Sequence, residues 1–401
     1  MDENRIETAD CVVIGGGPAG LMLGLLLARA GVDTIVLEKH ADFLRDFRGD
    51  TIHPSTQEAL ADIGLLDEFL ALPHTDMPRV SLRYGDRDMV LADFTKLPTT
   101  RKAITFMPQW DFLDLLAGAG SREPTFRLLR RTRGKEPIVE DGRVVGVRAD
   151  GPDGPLDVRA RLVVAADGRD SAIRAAADMV PRRLASAMDV LWFRVPKERS
   201  DTHPFVLAGD GTIITIDRGD FFQVAHVIPA GSWSADADGV AAMRARISRL
   251  SLSLGERIGA LAADDVKLLT VRLERLRRWH TDGLLVIGDA AHAMSPAGGV
   301  GVNLAIQDAI AAANMLAPIL RERRPTERDL ARVQRRRALP AAFIQRVQRV
   351  LQEPLLAPAR SSRIPLPLRA LQRVPFLRHV TGRIIGVGIR PERVRFRVSQ
   401  E

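Results

Sequence analysis

Cysteine and tyrosine are nearly absent from this 401-residue chain, which has one of each, and aromatic residues make up only 5% of it. A single cysteine closes no internal disulfide and matches no zinc-ligand spacing, so a stapled secreted scaffold is excluded and no metal site is expected. Long uncharged apolar runs are missing as well. The best stretch, residues 21–27, is interrupted by Gly24 and followed by Arg29, and it falls short of the roughly 18 residues of a membrane span. The acidic start Met1-Asp2-Glu3-Asn4-Arg5 reverses the basic n-region of a secretory leader, so a cytoplasmic location is expected. What remains, 46% apolar and 27% charged residues, is the composition of a globular chain with two or three packed lobes.

The net charge of +8 is local: residues 321–401 hold 20 arginines and 6 acidic residues, net +14, which leaves residues 1–320 at −6. The arginines recur at helix-like spacing with few aromatics, whereas platforms for nucleic acid interleave aromatic rings with positive charge. No nucleic-acid partner is expected. A solvated arginine-rich helical face is the plain reading, and contact with an anionic membrane surface or an acidic partner is the alternative.

Residues 9–14 form a short apolar run ending in Gly15-Gly16-Gly17-Pro18-Ala19-Gly20, followed by an apolar helix-length segment closed by Gly31 and a second apolar run, Thr34-Ile35-Val36-Leu37-Glu38. This is a strand, helix, strand unit of crossover size, with Cys11 a small core residue inside the first strand. Residues 126–166 read as a β meander with an Asp141-Gly142 hairpin turn, packed onto the first lobe. Residues 80–94 and 190–228 look like a different sheet assembled from two insertions. A buried strand at 284–287, a glycine-rich loop and a helix over 303–316 follow, and the remainder from Thr326 reads as helices punctuated by Pro340, Pro354, Pro358, Pro365, Pro367 and Pro375.

A lone G-x-G-x-x-G is weak, but Gly15-x-Gly17-x-x-Gly20 follows a strand, opens a helix and precedes Glu38 at the end of the next strand. Glycines there let the backbone turn tightly and approach a pyrophosphate, the helix start supplies free N–H groups, and the carboxylate accepts hydrogen bonds from a ribose. A second site appears at Gly288-Asp289-Ala290-Ala291-His292 and continues through Pro296-Ala297-Gly298-Gly299-Val300-Gly301-Val302-Asn303. There a strand ends in an aspartate able to bind a polyol hydroxyl, bare backbone meets a flat ligand, and a helix start faces the ring edge where negative charge gathers on reduction. A third element, Asp167-Gly168-Arg169-Asp170-Ser171, ends the strand from Leu162.

With these three motifs in order, the sequence resembles the class A, single-component FAD-dependent aromatic monooxygenases, the para-hydroxybenzoate hydroxylase-like enzymes, over most of residues 9–320. The resemblance implies an α/β fold: a Rossmann-like FAD-binding domain built from residues 1–75, 99–180 and 275–325, an inserted β-sheet substrate domain from 76–98 and 181–274, and a C-terminal helical region over 326–401. It implies non-covalent FAD held by Gly15, Gly17, Ala19, Gly20, Glu38 and Lys39, with Glu38 on the adenosine ribose and Asp289 on the ribityl chain. Pro296, Gly299, Gly301, Val302 and Asn303 would border the isoalloxazine. Arg48 matches the family's arginine near the diphosphate, Gln109 a polar residue near the ribityl region, and Asp167 a motif used for both FAD and NAD(P)H. NAD(P)H would serve as co-substrate without a second Rossmann domain, and O2 would be activated as a C4a-hydroperoxyflavin to hydroxylate an aromatic or polycyclic small molecule. With Tyr84 the only tyrosine, the paired-tyrosine relay of some members has no counterpart.

His226 is the candidate catalytic base. Alternation along residues 222–228 puts Phe222, Val224, His226 and Ile228 on one strand face, and a sheet covering the flavin would aim that face at the substrate. A structural histidine is the competing reading, and His53 and His292, inside cofactor motifs, read as structural. Val224 and His226 stand where a flavin-dependent halogenase carries the tryptophans of its W-x-W-x-I-P signature. The rival functions are a flavin-dependent reductase or dehydrogenase of the same fold, geranylgeranyl reductase-like, and a non-catalytic flavoprotein that binds an aromatic ligand.

Overall fold

The computed structural model describes residues 5–44, 51–84, 87–184, 187–197, 206–209, 211–356 and 366–396. The first strand, Arg5–Ile14, is polar at its start and wholly buried over Cys11-Val12-Val13-Ile14, as a parallel strand covered on both faces requires. The helix Pro18–Arg29 follows with proline in its first turn and every residue from Ala19 to Ala28 buried. It ends at Gly31, whose φ of +76° is the left-handed conformation that stops a helix without steric cost. Thr34–Leu37 then lies parallel to the first strand.

Five strands lie side by side and parallel in the order Leu284–Val286, Gly154–Ala165, Arg5–Ile14, Thr34–Leu37, Phe126–Leu129. The expected meander belongs to this same sheet. Arg133–Glu140 and Arg143–Gly151 pair antiparallel through Asp141 and Gly142, both at positive φ, and Gly154–Ala165 pairs with the meander along its first half and with Arg5–Ile14 along its length. One sheet face is covered by Pro18–Arg29, Gln109–Ser121 and Val300–Glu322. The other is covered by the meander, Trp279 and the residues Ala341 and Ile344 of the helix Glu327–Leu356. The segment Ala297–Glu322 is long and apolar enough to cross a membrane, yet 72% of its apolar window is buried inside the protein, which is where a core helix lies.

A second sheet has seven strands in the order Lys267–Thr270, Met188–Pro196, Phe221–Pro229, Gly211–Asp217, Val206–Gly209, Arg79–Tyr84, Arg87–Asp93. Its neighbours are antiparallel except Val206–Gly209 and Arg79–Tyr84, a parallel pair that joins the early hairpin to the later strands. The helices Ala237–Leu250 and Leu252–Arg257 cover one of its faces.

The C-terminal part is helical, with two departures from expectation. Glu327–Leu356 is one 30-residue helix that runs through Pro340. Proline removes a helical hydrogen bond, but Pro340 is buried beside Arg337, Ala341 and Ile344, and that packing holds the helix continuous. Nor are the arginines all solvated. Arg337 is 1% exposed; its Nε donates to Asp308 Oδ1 at 2.9 Å and its Nη1 to the Arg390 carbonyl at 3.1 Å. Arg336 donates to Glu392, and Arg393 pairs with Glu58 and Asp62. After the helix Pro375–Gly386, residues 387–396 thus run as a strap across Val300–Glu322 and Pro54–Asp62.

Candidate functional site

Ile14, Ala165 and Val286 are adjacent in register at the carboxyl ends of three parallel strands, the edge where open α/β sheets take their ligands. All three sequence motifs start there. Gly15 has φ +105°, and a Cβ on it would stand 2.5 Å from the Ala166 carbonyl oxygen; one on Gly20 would stand 1.9 Å from the Gly15 carbonyl oxygen. The fold itself demands these two glycines. Gly17, at φ −81°, is different, because a Cβ there meets nothing within 4 Å among the described residues: no packing within the described fold requires glycine at that position. The helix beginning at Pro18 has no side-chain cap, so its first N–H groups remain available to an anion. Ala19 is buried against Gly288, where an added Cβ would come within 3.3 Å of it. Glu38, 6% exposed, accepts from the Gly16 N–H through Oε2 and from the His40 N–H through Oε1, both at 2.9 Å. It holds the glycine loop from the end of the second strand. Lys39 beside it is exposed.

Asp167 stands next to Gly15, its Cα 2.9 Å from where a Gly15 Cβ would lie. Its Oδ2 accepts from the Ala172 N–H at 2.9 Å, and Ser171 Oγ caps the same short turn at the Arg174 N–H. Asp167 Oδ1 is buried without a partner among the described residues. Burial pushes this carboxyl up, against the hydrogen bonds of Ser171 and the backbone. Arg174 donates to the Ala290 and Arg169 carbonyls, each at 2.8 Å, and so ties this loop to the one after Leu284–Val286.

Asp289 is half-buried in the turn Gly288–Ala290. That turn is anchored from behind, where Asp308 Oδ2 accepts from the Gly288 N–H at 3.2 Å and lies 2.5 Å from His292 Nε2. Burial alone would raise the Asp308 carboxyl, but the charges and hydrogen bonds of His292 and Arg337 outweigh it and hold it below the usual carboxylate range. His292 is therefore a structural histidine, with 1% of its surface exposed. No local pattern marks Asp308 or Arg337 as members of this cluster, and the sequence reading missed both.

Pro296 leads into the turn Ala297–Gly299, where Gly298 and Gly299 have φ of 80° and 62°, and the helix Val300–Glu322 starts without a side-chain cap, three residues before the expected start at Asn303. Gly301 and Val302 are half-buried with first-turn N–H groups open to a ligand. The side chain of Asn303 is not open. Its Oδ1 accepts from the His53 N–H at 2.8 Å and Thr56 Oγ1 at 2.7 Å, and its Nδ2 donates to the Thr51 and Gly299 carbonyls at 3.0 and 3.2 Å. Two donors and two lone pairs are all used, so Asn303 latches the 51–56 segment to the helix start, and its backbone N–H closes the first helical turn on Gly299. Gln109, half-buried, begins the helix Gln109–Ser121. Arg48 lies outside the described residues.

The expectation for His226 fails on geometry. Phe222, Val224 and Ile228 share its face as counted, but that face packs beneath Ala237–Leu250 with Leu191, Phe193 and Ile213. The opposite face, with Val190, Trp192, Ala225 and Val227, meets Ala297 of the glycine loop. His226 is 1% exposed, its Nδ1 is 3.3 Å from the Thr212 carbonyl, and burial pushes its pKa down to about 4. It is a buried neutral histidine turned away from the loop.

An uncapped helix start behind a glycine whose Cβ would meet none of the described residues, a buried carboxylate on the adjoining strand, a half-buried acid at a third strand end and a second uncapped helix start fit a dinucleotide with a flat ring at one end. The FAD binding domain family matches residues 8–347, and the chain belongs to this family. It is similar to 6-methylpretetramide 4-monooxygenase of Streptomyces rimosus, 33% identical over 399 residues covering 98% of this chain and 95% of that protein. Digeranylgeranylglycerophospholipid reductase 1 of Methanopyrus kandleri is 27% identical over 308 residues, 74% of this chain and 77% of that protein. Among solved structures, the OxyS anhydrotetracycline hydroxylase from Streptomyces rimosus superposes with a TM-score of 0.77 at 24% identity over 94% of this chain and 76% of that one, a likeness of fold. The protein is a flavin-dependent oxidoreductase of the monooxygenase class, with FAD as its cofactor.

Proposed function

We propose that this enzyme hydroxylates a planar polycyclic aromatic compound, taking electrons from NAD(P)H and one oxygen atom from O2, with water as the second product. The observation that carries the reading is the apposition of the Pro296–Asn303 loop and an aliphatic sheet face, with Ala297 packed against the cluster of Met188, Val190, Ala225, Val227 and Val271. A flat apolar substrate suits a site bordered by these two surfaces. Full-length similarity to an enzyme named for 6-methylpretetramide supports a polycycle.

Bound FAD supplies the activation of dioxygen, and the chain supplies the rest. Gly17 lets the pyrophosphate approach the N-terminus of Pro18–Arg29, Ala19 and Gly20 keep that helix close to the strand ends, and Glu38 receives ribose hydroxyls with Lys39 at the rim. Arg48 neutralises the diphosphate, Gln109 and Asp289 hold the ribityl chain, and Asp167 Oδ1 accepts from a hydroxyl or amide of FAD or NAD(P)H. Pro296 and Gly299 shape the loop so that the N–H groups of Gly301 and Val302, with Asn303 holding the turn behind them, stabilise negative charge on the reduced ring. The apolar sheet face keeps water from the reacting atoms.

Oxygen uptake with NADH or NADPH should be stimulated by polycyclic phenols, and one atom of 18O2 should enter the product. Oxidation of NAD(P)H with reduction of the substrate and no oxygen incorporation would make the protein a reductase instead. Acid precipitation should release the flavin as FAD; flavin left on the precipitate would exclude non-covalent binding. Asp289→Ala should reduce FAD content sharply, because ribityl hydroxyls would lose their buried partner, and full occupancy would remove Asp289 from the site.

A further inference from the structure

On the sheet face opposite the glycine loop, Trp192 and Gln223 stand among the aliphatic side chains of Val190, Ile214, Ala225 and Val227. Trp192 is paired with Ala225, which is paired with Ile214; Arg194 is paired with Gln223, which is paired with Ile216. Direct partners project to one side of a sheet, so Trp192 and Gln223 share the face that carries Val190 and Val227 and meets Ala297. Trp192 also packs against the cluster of Ile104 and Phe106. Trp192 Nε1 and Gln223 Nε2 are both buried and have no hydrogen-bond partner among the described residues.

An indole N–H can only donate. Gln223 could in principle present either end of its amide, but Arg218 settles which: its Nε and Nη2 donate to Gln223 Oε1 at 3.0 and 2.8 Å. The oxygen is committed, and the amide donor is the free end. The two positions are diagonal neighbours on adjacent strands, ~7–8 Å apart or somewhat less at Cβ, a separation that two oxygens on one fused ring system can span. Val190, Ile214, Ala225 and Val227 around them offer no side-chain acceptor. A buried donor left unpaired is costly, and a ligand oxygen that pairs with it gains what a hydrocarbon cannot.

We propose that Trp192 and Gln223 are the residues that orient the substrate, each donating a hydrogen bond to a ring oxygen, and that the enzyme selects polycycles carrying carbonyl or phenolate acceptors over hydrocarbons of the same shape. This rests on the monooxygenase reading for the location of the substrate and adds to it the chemistry by which the substrate is chosen. The step involves no bond making. It sets which edge of the ring system faces the flavin.

The test uses the full chain loaded with FAD, without NAD(P)H, and two soluble planar probes of nearly the same outline, anthraquinone-2-sulfonate and anthracene-2-sulfonate, titrated by the change in flavin absorbance. The wild-type protein should bind the quinone about tenfold more tightly, the size expected for one satisfied buried donor. Trp192→Phe, which keeps a ring in place, and Gln223→Leu should each shrink the preference, and the double variant should abolish it, with FAD content and thermal midpoint checked in each. Equal binding of both probes to the wild type, a preference unchanged in both variants, or binding of neither probe overturns the proposal. The outcomes separate it from the reading beneath it: quinone preference that depends on both residues, in a protein that never inserts oxygen, would keep the donors and discard the monooxygenase.

Discussion

Gly17 and Gly20 look alike in the motif and differ in what each must avoid. A side chain on Gly20 collides with the Gly15 carbonyl, whereas one on Gly17 meets none of the described residues. Gly17→Val should therefore leave the thermal stability of the apoprotein close to wild type while cutting FAD content several-fold; Gly20→Val should destabilise the apoprotein itself. Absorbance of bound flavin and apoprotein melting measure the two effects, and a Gly17 variant that keeps its flavin would mean the pyrophosphate lies elsewhere. His53 and His226 carry a different signature. Burial pushes both down to about 4, from an ordinary ~6.5 in the unfolded chain. Between those values the unfolded chain binds protons that the folded one refuses, so their contribution to stability is complete above about pH 6.5 and is lost as pH falls toward 4. His226→Leu should flatten part of this acid loss in melting curves recorded from pH 7 to 4.5, and it should leave the pH dependence of hydroxylation unchanged. A variant with altered coupling of NAD(P)H oxidation to product would restore His226 as a base.

At the scale of elements, the loop bearing Asp289 owes its position to a charge cluster behind it. His292, Asp308, Arg337 and Glu392 are each no more than 2% exposed, and they connect the Gly288–Ala290 turn, the helix Val300–Glu322, the helix Glu327–Leu356 and the C-terminal strap. Removing one member strands the others in low dielectric, so Arg337→Ala should cost about 3–5 kcal/mol in urea unfolding. A cost below ~1 kcal/mol would mean that water reaches the cluster.

At the scale of the whole molecule, residues 387–396 close the arrangement. Glu392 N–H donates to Gln307 Oε1, Arg393 pairs with Glu58 and Asp62, and the Arg395 N–H donates to Asn314 Oδ1 at 3.0 Å. This segment bridges the helix Val300–Glu322 and the helix Pro54–Asp62 that follows the Asn303 latch. Ending the chain after Gly386 should lower the thermal midpoint and the retention of FAD together, as followed by melting and by flavin lost on gel filtration. Unchanged retention would show that the strap serves stability alone.

The strand, glycine loop, helix and acidic residue at the amino end were legible in the sequence because their constraint is local: the turn, the helix start and Glu38 are fixed by spacing within one crossover. The same holds for Asp141-Gly142, whose two positive φ angles are a property of two adjacent residues. Periodicity along 222–228 correctly placed His226 with Phe222 and Val224, but a period of two says which residues share a face and not what that face meets; the docking of Ala237–Leu250 decided it. Arginine spacing in the C-terminal segment likewise suggested solvent, and only the tertiary fold brought Asp308 and Glu392 to Arg337, because a buried charge is permitted by partners far away in the chain. Asn303 was found by its motif, but its latch was not legible there for the same reason, since the groups that use up its amide, Thr51, His53 and Thr56, lie some 250 residues earlier.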